Sequence, residues 1–390
     1  VDAQAPFWLE GDHDWDPDDL LVFHNCILNV GHHIKGYGES TIPRTPSLFY
    51  KHQIHFDFDP QAREPVEWFR FLDSLEQPSD WHAFLQQIMG YCLWRKYDLQ
   101  KFFVFVGPRR SGKGTIAHVM THLLGGESAV CSPDLDHFAS EFGMEQAIGK
   151  RLAIVPEIRL PDRNRHQIVA RLKAITGGDL VTVNRKHVHA LPLRLKMKII
   201  MVTNNFVALP DNAGALQARM LPLKLTKSFF GKEDFKLQEK LKPEYPGILV
   251  WALEGLRKLW ESDGQFALPQ STQEELDQLM TESAPLQAFI AQCCEVNLNK
   301  GVQSKALFQI DQEWMRSASS NAETLSDSQF ANELRSAVHS ITKDRASKPN
   351  QREYKGRQIV GTEFDDLTVR AGLRLGICPK MEWRSRRAFR

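Results

Sequence analysis

Apolar residues recur along this chain with two different spacings, and the points where one gives way to the other outline its elements. From Leu20 to about Pro60, short apolar runs alternate with turn residues such as Asn29, Gly31, Gly36, Gly38, Pro43 and Pro46, which predicts small strands. The acids Asp57 and Asp59 fall at the end of one such run, before Pro60, and read as a strand end rather than a metal pair. Over 65–97 the spacing becomes three to four residues. Trp68, Phe69, Phe71 and Leu72, then Trp81, Phe84, Leu85, Ile88, Met89, Cys92 and Leu93, predict helices. Residues 101–230 alternate strand and helix patterns, the signature of a wound α/β domain. An apolar-rich helix follows over 246–260, then a polar stretch over 269–285 that reads as a linker or an exposed helix. Three helical patterns (286–295, 304–317 and 326–338) and two β-like runs near 340–342 and 354–360 close the chain. Three helices followed by a basic hairpin predict a winged-helix-like module.

One junction carries chemistry. The run Phe102-Phe103-Val104-Phe105-Val106 leads into Gly107, Pro108, Arg109, Arg110, Ser111, Gly112, Lys113, Gly114 and Thr115, and Ile116 to Met120 then reads as helix. A buried strand, a glycine loop and a helix N-terminus together make a phosphate cradle, because the backbone N–H groups and the positive helix end surround the anion. Lys113 supplies the charge, and Gly107 and Gly112 allow the backbone to approach closely. Gly114 stands where the usual hydroxyl would be, so Thr115, one residue later, is the candidate magnesium-side hydroxyl. The whole stretch 107–115 is the candidate nucleotide loop.

Hydrolysis needs more than a cradle: an acid, a group that positions water, and charge compensation. Lys150 to Val155 reads as a buried strand, and Glu157 lies just past its end. A carboxylate there faces the ligand edge of an α/β sheet, where it can polarise water or help hold magnesium. The next strand, Lys198 to Val202, ends in Thr203-Asn204-Asn205, and Asn204 is the candidate contact to the terminal phosphate. Between these strands, Leu180 to Leu191 has the pattern of a hairpin with Arg185, Lys186 and His187 at its tip, residues suited to phosphate contact and stacking.

Charge is nearly balanced overall, 49 Lys and Arg against 48 Asp and Glu, but it is unevenly placed. Residues 1–34 carry seven acids and no Lys or Arg, and 1–20 reads as a poorly ordered acidic lead-in. Residues 340–390 carry 13 Lys and Arg against 6 Asp and Glu, which points to a polyanionic partner. The six cysteines show no C-x-x-C pair and no zinc spacing, so a reducing compartment without a structural metal is expected. No apolar stretch approaches the ~18 residues of a membrane span and no signal peptide opens the chain, so no membrane partner is expected. A start at Val1 reads as a fragment or a processed chain.

In combination, these features resemble superfamily 3 helicases, and more closely the helicase part of phage and plasmid primase–helicases. The resemblance spans 20–280 and, less specifically, 285–360. Leu21 to Asn25 and Phe56 to Pro60 resemble the family's N-terminal helicase-associated region. Gly107–Thr115 matches its phosphate loop, Ala174 to Asp179 leads into its hairpin, and Thr203-Asn204 matches its sensor strand. Gly214 to Arg219 resembles the segment that carries its arginine finger. Many relatives have an aspartate or an acidic pair where this chain offers Glu157 alone.

The resemblance implies an α/β fold in three parts. A small N-terminal α+β region with the lead-in spans 1–100, an AAA+-like P-loop ATPase core spans 101–268, and a basic winged-helix-like domain spans 283–390. It implies ATP and Mg²⁺ as cofactors, Lys113, Glu157, Asn204 and Arg219 as catalytic residues, and Thr115 with Glu157 at the metal. Arg219 is expected to reach the ATP of a neighbouring subunit, which makes the active form a homo-hexameric ring. Lys186, with Arg185 and His187, is expected on single-stranded DNA, and Arg352, Lys355 and Arg357 on duplex DNA. The implied activity is 3′-to-5′ unwinding during replication of a phage, plasmid or other mobile element, in the cytoplasm of a bacterial or phage-infected cell. A primase domain or protein is a further candidate partner. Two other readings stay open: a nucleotide-dependent initiator or loader without processive unwinding, and a small-molecule phosphotransferase.

Overall fold

A computed structural model describes residues 7–8, 15–158, 164–205 and 215–283, and beyond them 286, 289–290, 293–294, 296–297, 302–318, 326–337, 341–345, 352–356 and 358–359. The chain forms two compact units, Val1–Leu209 with Arg219–Glu274, and Pro210–Ala218 with Glu275–Arg390. Among the described residues, no helix is long and apolar enough to cross a membrane.

The first unit begins with a small antiparallel sheet of β1 (Leu20–Val22), β2 (Cys26–Asn29) and β3 (Thr41–Pro43). Two helices follow, α1 (Val66–Ser74) and α2 (Ser79–Leu93). The core then alternates as its periodicity predicts: β4 (Phe102–Val106), α3 (Lys113–Leu123), β5 (Val130–Cys131), β6 (Leu152–Val155) and α4 (Arg165–Thr176). A separate hairpin of β7 (Leu180–Arg185) and β8 (Val188–Arg194) precedes β9 (Lys198–Thr203) and β10 (Met220–Lys224). Helices α5 (Leu237–Leu241) and α6 (Tyr245–Glu261) come next, and the polar stretch after them forms a helix over Gln270–Ser283.

Five strands pair in the order β10-β4-β9-β6-β5, and every pairing is parallel. All five residues of β4 are buried, as a strand covered on both faces requires. The sheet is therefore an α/β sheet with the strand that feeds the glycine loop at its interior. Its order holds one surprise for a reader of the sequence: β9 is inserted between β4 and β6.

The end of the sheet where strands begin is strongly basic. Arg151, buried just before β6, donates from Nη1 to the Leu20 carbonyl at 3.0 Å and to the Tyr50 hydroxyl, and from Nη2 to the Leu93 carbonyl at 3.1 Å. Arg95 donates to the Lys196 carbonyl at 2.8 Å and pairs with Asp18 at 3.3 Å. Here the sequence expectation needs correcting, because the acidic segment does not stay a loose lead-in to residue 20. Asp16 caps a short 3-10 turn over Pro17–Asp19, and Asp16, Asp18 and Asp19 pair with Lys96, Lys196 and Arg95. Of these partners Arg95 is buried while Lys96 and Lys196 are exposed, and periodicity cannot reveal pairings so distant in sequence. Asn25 and Phe58 also join the two N-terminal motifs through reciprocal hydrogen bonds of 2.9 Å.

The second unit contains β11 (Val302–Gln303), α7 (Ser304–Ala318), α8 (Asp327–Ala337), β12 (Ile341–Arg345) and β13 (Arg352–Gly356). β13 lies between β11 and β12, antiparallel to both. Leu286, Phe289, Leu307, Trp314, Phe330 and Leu334 share its apolar core. Half of the helical pattern at 286–295 lies outside the described residues.

Lys198 opens β9 and is the clearest electrostatic load in the first unit. Burial pushes its ammonium down from 10.5 to about 8, against the opposing pull of Asp98, 3.7 Å away. Between pH 8 and 10.5 the unfolded chain therefore binds more protons than the folded one, so this residue's contribution to stability rises with pH through that window. Lys198→Met should lose the rise. Chemical unfolding of both proteins from pH 7 to 10.5 should show the wild type gaining on the variant by up to about 3 kcal/mol.

Candidate active site

The loop 107–112 leaves β4 at the carboxyl edge of the sheet and turns directly into α3. Its start is fixed by neighbours on both sides. The Gly107 N–H donates to the Thr203 carbonyl of β9 at 3.2 Å, and a Cβ on Gly107 would lie 2.3 Å from the Leu225 carbonyl oxygen beyond β10. Only glycine fits so close an approach. Gly112, at φ +95°, then makes the left-handed step that starts the helix.

Lys113 is buried, and its ammonium donates to the Gly107 carbonyl at 2.5 Å, the Pro108 carbonyl at 2.7 Å and the Ser111 hydroxyl at 3.1 Å. Burial pushes its pKa below the ordinary lysine value. The charge is therefore held in place by the loop's own oxygens, beside the N–H groups of a helix start that favour an anion.

The loop opens into a cleft of about 1030 Å³ that Thr115, His118 and Asn204 also line. Asn204 follows directly on β9, where the Thr203 hydroxyl donates to the Asn205 carbonyl at 2.6 Å and closes the turn. Asn204 lines the cleft, and Asn205 does not. His118 sits one turn along α3, and burial followed by the neighbouring His122 lowers its pKa, which favours the neutral imidazole.

Other expected site residues stand elsewhere. Glu157 is exposed just past β6, in a left-handed conformation at φ +42°, and does not line the cleft. Because β9 intervenes, its strand lies two strand spacings from β4, on the order of 10 Å. Arg219 also stands off the cleft. Its Nη1 donates to the Lys173 carbonyl at 2.7 Å and the Thr176 hydroxyl at 3.1 Å, placing a cation at the C-terminal end of α4, where the helix dipole favours it.

At the hairpin tip, Arg185 turns back on its own strand pair and donates from Nε and Nη2 to the His189 carbonyl at 3.1 and 2.9 Å. Its reach beyond the tip is correspondingly reduced. The Lys186 side chain is exposed, while its N–H donates to Glu145 at 3.3 Å. His187, also exposed, takes the left-handed conformation, φ +61°, that closes the two-residue loop. Arg352 and Lys355 lie on β13, with their side chains outside the described set, and Arg357 lies outside the described residues.

Two walls of the cleft escaped the sequence reading. One is α1, whose Glu67, Arg70, Phe71 and Ser74 recur at helical spacing on one face. Its aromatic pattern reads as core, and that is true of only part of it. The other wall comes from the segment after β10, where Phe229, Glu233 and Phe235 face the cleft. The cue available there was a pair of phenylalanines followed by a charged run, outside any periodic element.

The fold and site define a mixed α/β protein with a parallel central sheet and a cleft at its carboxyl edge beside the glycine loop. Residues 105–219 match the model of DUF5906, a family of unknown function. Among solved structures, the chain is similar to the A-form apo structure of the NrS-1 C-terminal region, at 11% identity and a TM-score of 0.45. That match covers 77% of this chain and 78% of that one. A second apo structure of the same NrS-1 region is similar at 12% identity and a TM-score of 0.44, covering 77% of each chain.

The loop glycines separate by role. Gly107→Ala should destabilise the protein by about 1–3 kcal/mol, because a backbone oxygen blocks the added methyl. At Gly114, inside α3, a Cβ meets nothing within 4 Å, so Gly114→Ala should stabilise by about 0.5–1 kcal/mol through helix propensity. Denaturant unfolding of the two variants measures both effects.

Proposed function

We propose that this chain hydrolyses ATP to drive a DNA helicase, with an AAA+-like core working as a hexameric ring and a basic C-terminal unit of winged-helix type on duplex DNA. The observation that carries the reading is the preorganised Lys113 cradle opening on the same cleft as Asn204. The resemblance of the motif set to superfamily 3 helicases supports it.

In this reading Lys113 and the loop N–H groups hold the β- and γ-phosphates, and Asn204 contacts the terminal phosphate or its attacking water. Thr115 lines the cleft and fits a magnesium ligand. When bound, magnesium supplies positive charge to the phosphate oxygens. Glu157, standing off the loop by two strand spacings, fits water activation at the terminal phosphate better than direct ligation beside Thr115. Because Arg219 stands off its own cleft, its transition-state role is at the cleft of a neighbouring copy, and each ATP then lies between subunits. Lys186, exposed at the hairpin tip, tracks the phosphates of single-stranded DNA, and binding weakens as salt rises.

One observation favours a second reading, a nucleotide-dependent initiator or loader that remodels DNA without processive unwinding. With the Arg185 guanidinium held by His189, the tip offers Lys186 as its extended cation, a weak grip for processive translocation. Strand displacement on a forked substrate, with ATP turnover measured in the same reaction, decides between them. The helicase reading predicts DNA-stimulated turnover with displacement, and a Lys186→Ala variant that keeps turnover but displaces at least about tenfold more slowly. Robust turnover without displacement by the wild type supports the loader. Turnover indifferent to DNA counts against both.

A further inference from the structure

Building on the triphosphate-hydrolysing reading, we propose that the cleft selects its substrate by the triphosphate and accepts any nucleobase, which it holds by stacking on Phe235. The placement of buried polar groups carries the first half. Among the polar side chains lining the cleft, Ser111 and Lys113 are the buried ones, at 1% and 7% exposure, and both belong to the phosphate loop. Strict choice among bases needs dry donors and acceptors that lose a partner when the wrong base arrives. The walls formed by α1 and the segment 229–238 provide none among their described residues. Arg70, Lys232, Asp234 and Gln238 are exposed, Glu67 is paired with Arg70, and Glu233 is paired with Arg110 at 3.4 Å. Water can replace the contacts of the exposed groups, and the two half-buried carboxylates are already engaged by arginines, so these side chains discriminate little.

What those walls offer instead is aromatic surface. Phe71 is buried, Phe229 is half-buried, and Phe235 is 85% exposed while still lining the cleft. A ring held in water at the wall of a phosphate-binding cleft is suited to stacking, and stacking tolerates every base because every base has a π face. The segment that carries Phe235 is also fastened to the phosphate loop. The Phe229 N–H donates to the Arg110 carbonyl at 2.8 Å, the Ser228 hydroxyl donates to the Arg109 carbonyl at 2.8 Å, and Arg110 pairs with Glu233. Phosphate loop and stacking ring are thereby tied into one unit.

The test is binding of ATP, GTP, CTP and UTP to the full chain with Mg²⁺, with inorganic tripolyphosphate as the probe that lacks a base. The four nucleotides should bind within about tenfold of one another. Phe235→Ala should weaken all four by roughly tenfold and leave tripolyphosphate unchanged, and Phe235→Tyr, which keeps the ring, should restore nucleotide binding. A preference of about a hundredfold or more for one base overturns base tolerance. Unchanged nucleotide affinity in Phe235→Ala, or equal loss of nucleotide and tripolyphosphate, overturns the stacking role. A wild type that binds neither ATP nor tripolyphosphate overturns the hydrolase reading itself, and is distinguishable from both.

Discussion

A buried ammonium that the chain must satisfy from its own backbone is the constraint on which this structure turns. Lys113 is held by two loop carbonyls and the Ser111 hydroxyl, and that geometry requires the backbone of 107–112 to fold tightly around it. The tight loop in turn requires Gly107 to lie against the carbonyl of Leu225 and to bond to Thr203. Those contacts exist only because β10 and β9 flank β4 in a parallel sheet. The strand order, the glycines and the lysine are one requirement expressed at three scales.

The sheet separates its charges by edge. Its starting edge buries Arg151, Arg95 and Lys198; Asp18 pairs with Arg95, Asp98 with Lys198, and Arg151 is held by the Leu20 and Leu93 carbonyls and the Tyr50 hydroxyl. Its carboxyl edge holds Lys113 at the N-terminus of α3, beside a cleft in which the other buried polar group is the Ser111 hydroxyl. The helix start beside Lys113 favours an anion, while at the other edge Arg95 and Lys198 are paired with acids of the same chain. Asp16, Asp18 and Asp19 work as internal counter-charge to Lys96, Arg95 and Lys196.

Much of this was legible in the sequence because it is local. The run Phe102 to Val106, the nine residues after it, the hairpin around Lys186 and the strand ending at Thr203 each announce themselves by period or composition. What was not legible depends on distant pairing. No period says that β9 enters between β4 and β6, since crossover connections set the order of a parallel sheet. Arg185 reads as a free cation until the irregular register between Val188 and Leu191 brings the His189 carbonyl within its reach. Arg219 reads as a finger, yet within its own chain it closes the end of α4. The cleft walls at α1 and at 229–238 were hidden for a related reason: a helix face can serve core and ligand together, and an aperiodic loop carries no pattern.

The central claim is that Lys113 is the charge that a triphosphate meets. Steady-state ATP turnover by Lys113→Ala beside the wild type, with DNA present and folding checked by unfolding midpoint, tests it most directly. The account predicts a loss of about a hundredfold or more at an unchanged midpoint. Hydrolysis at the wild-type rate by the folded variant would contradict it.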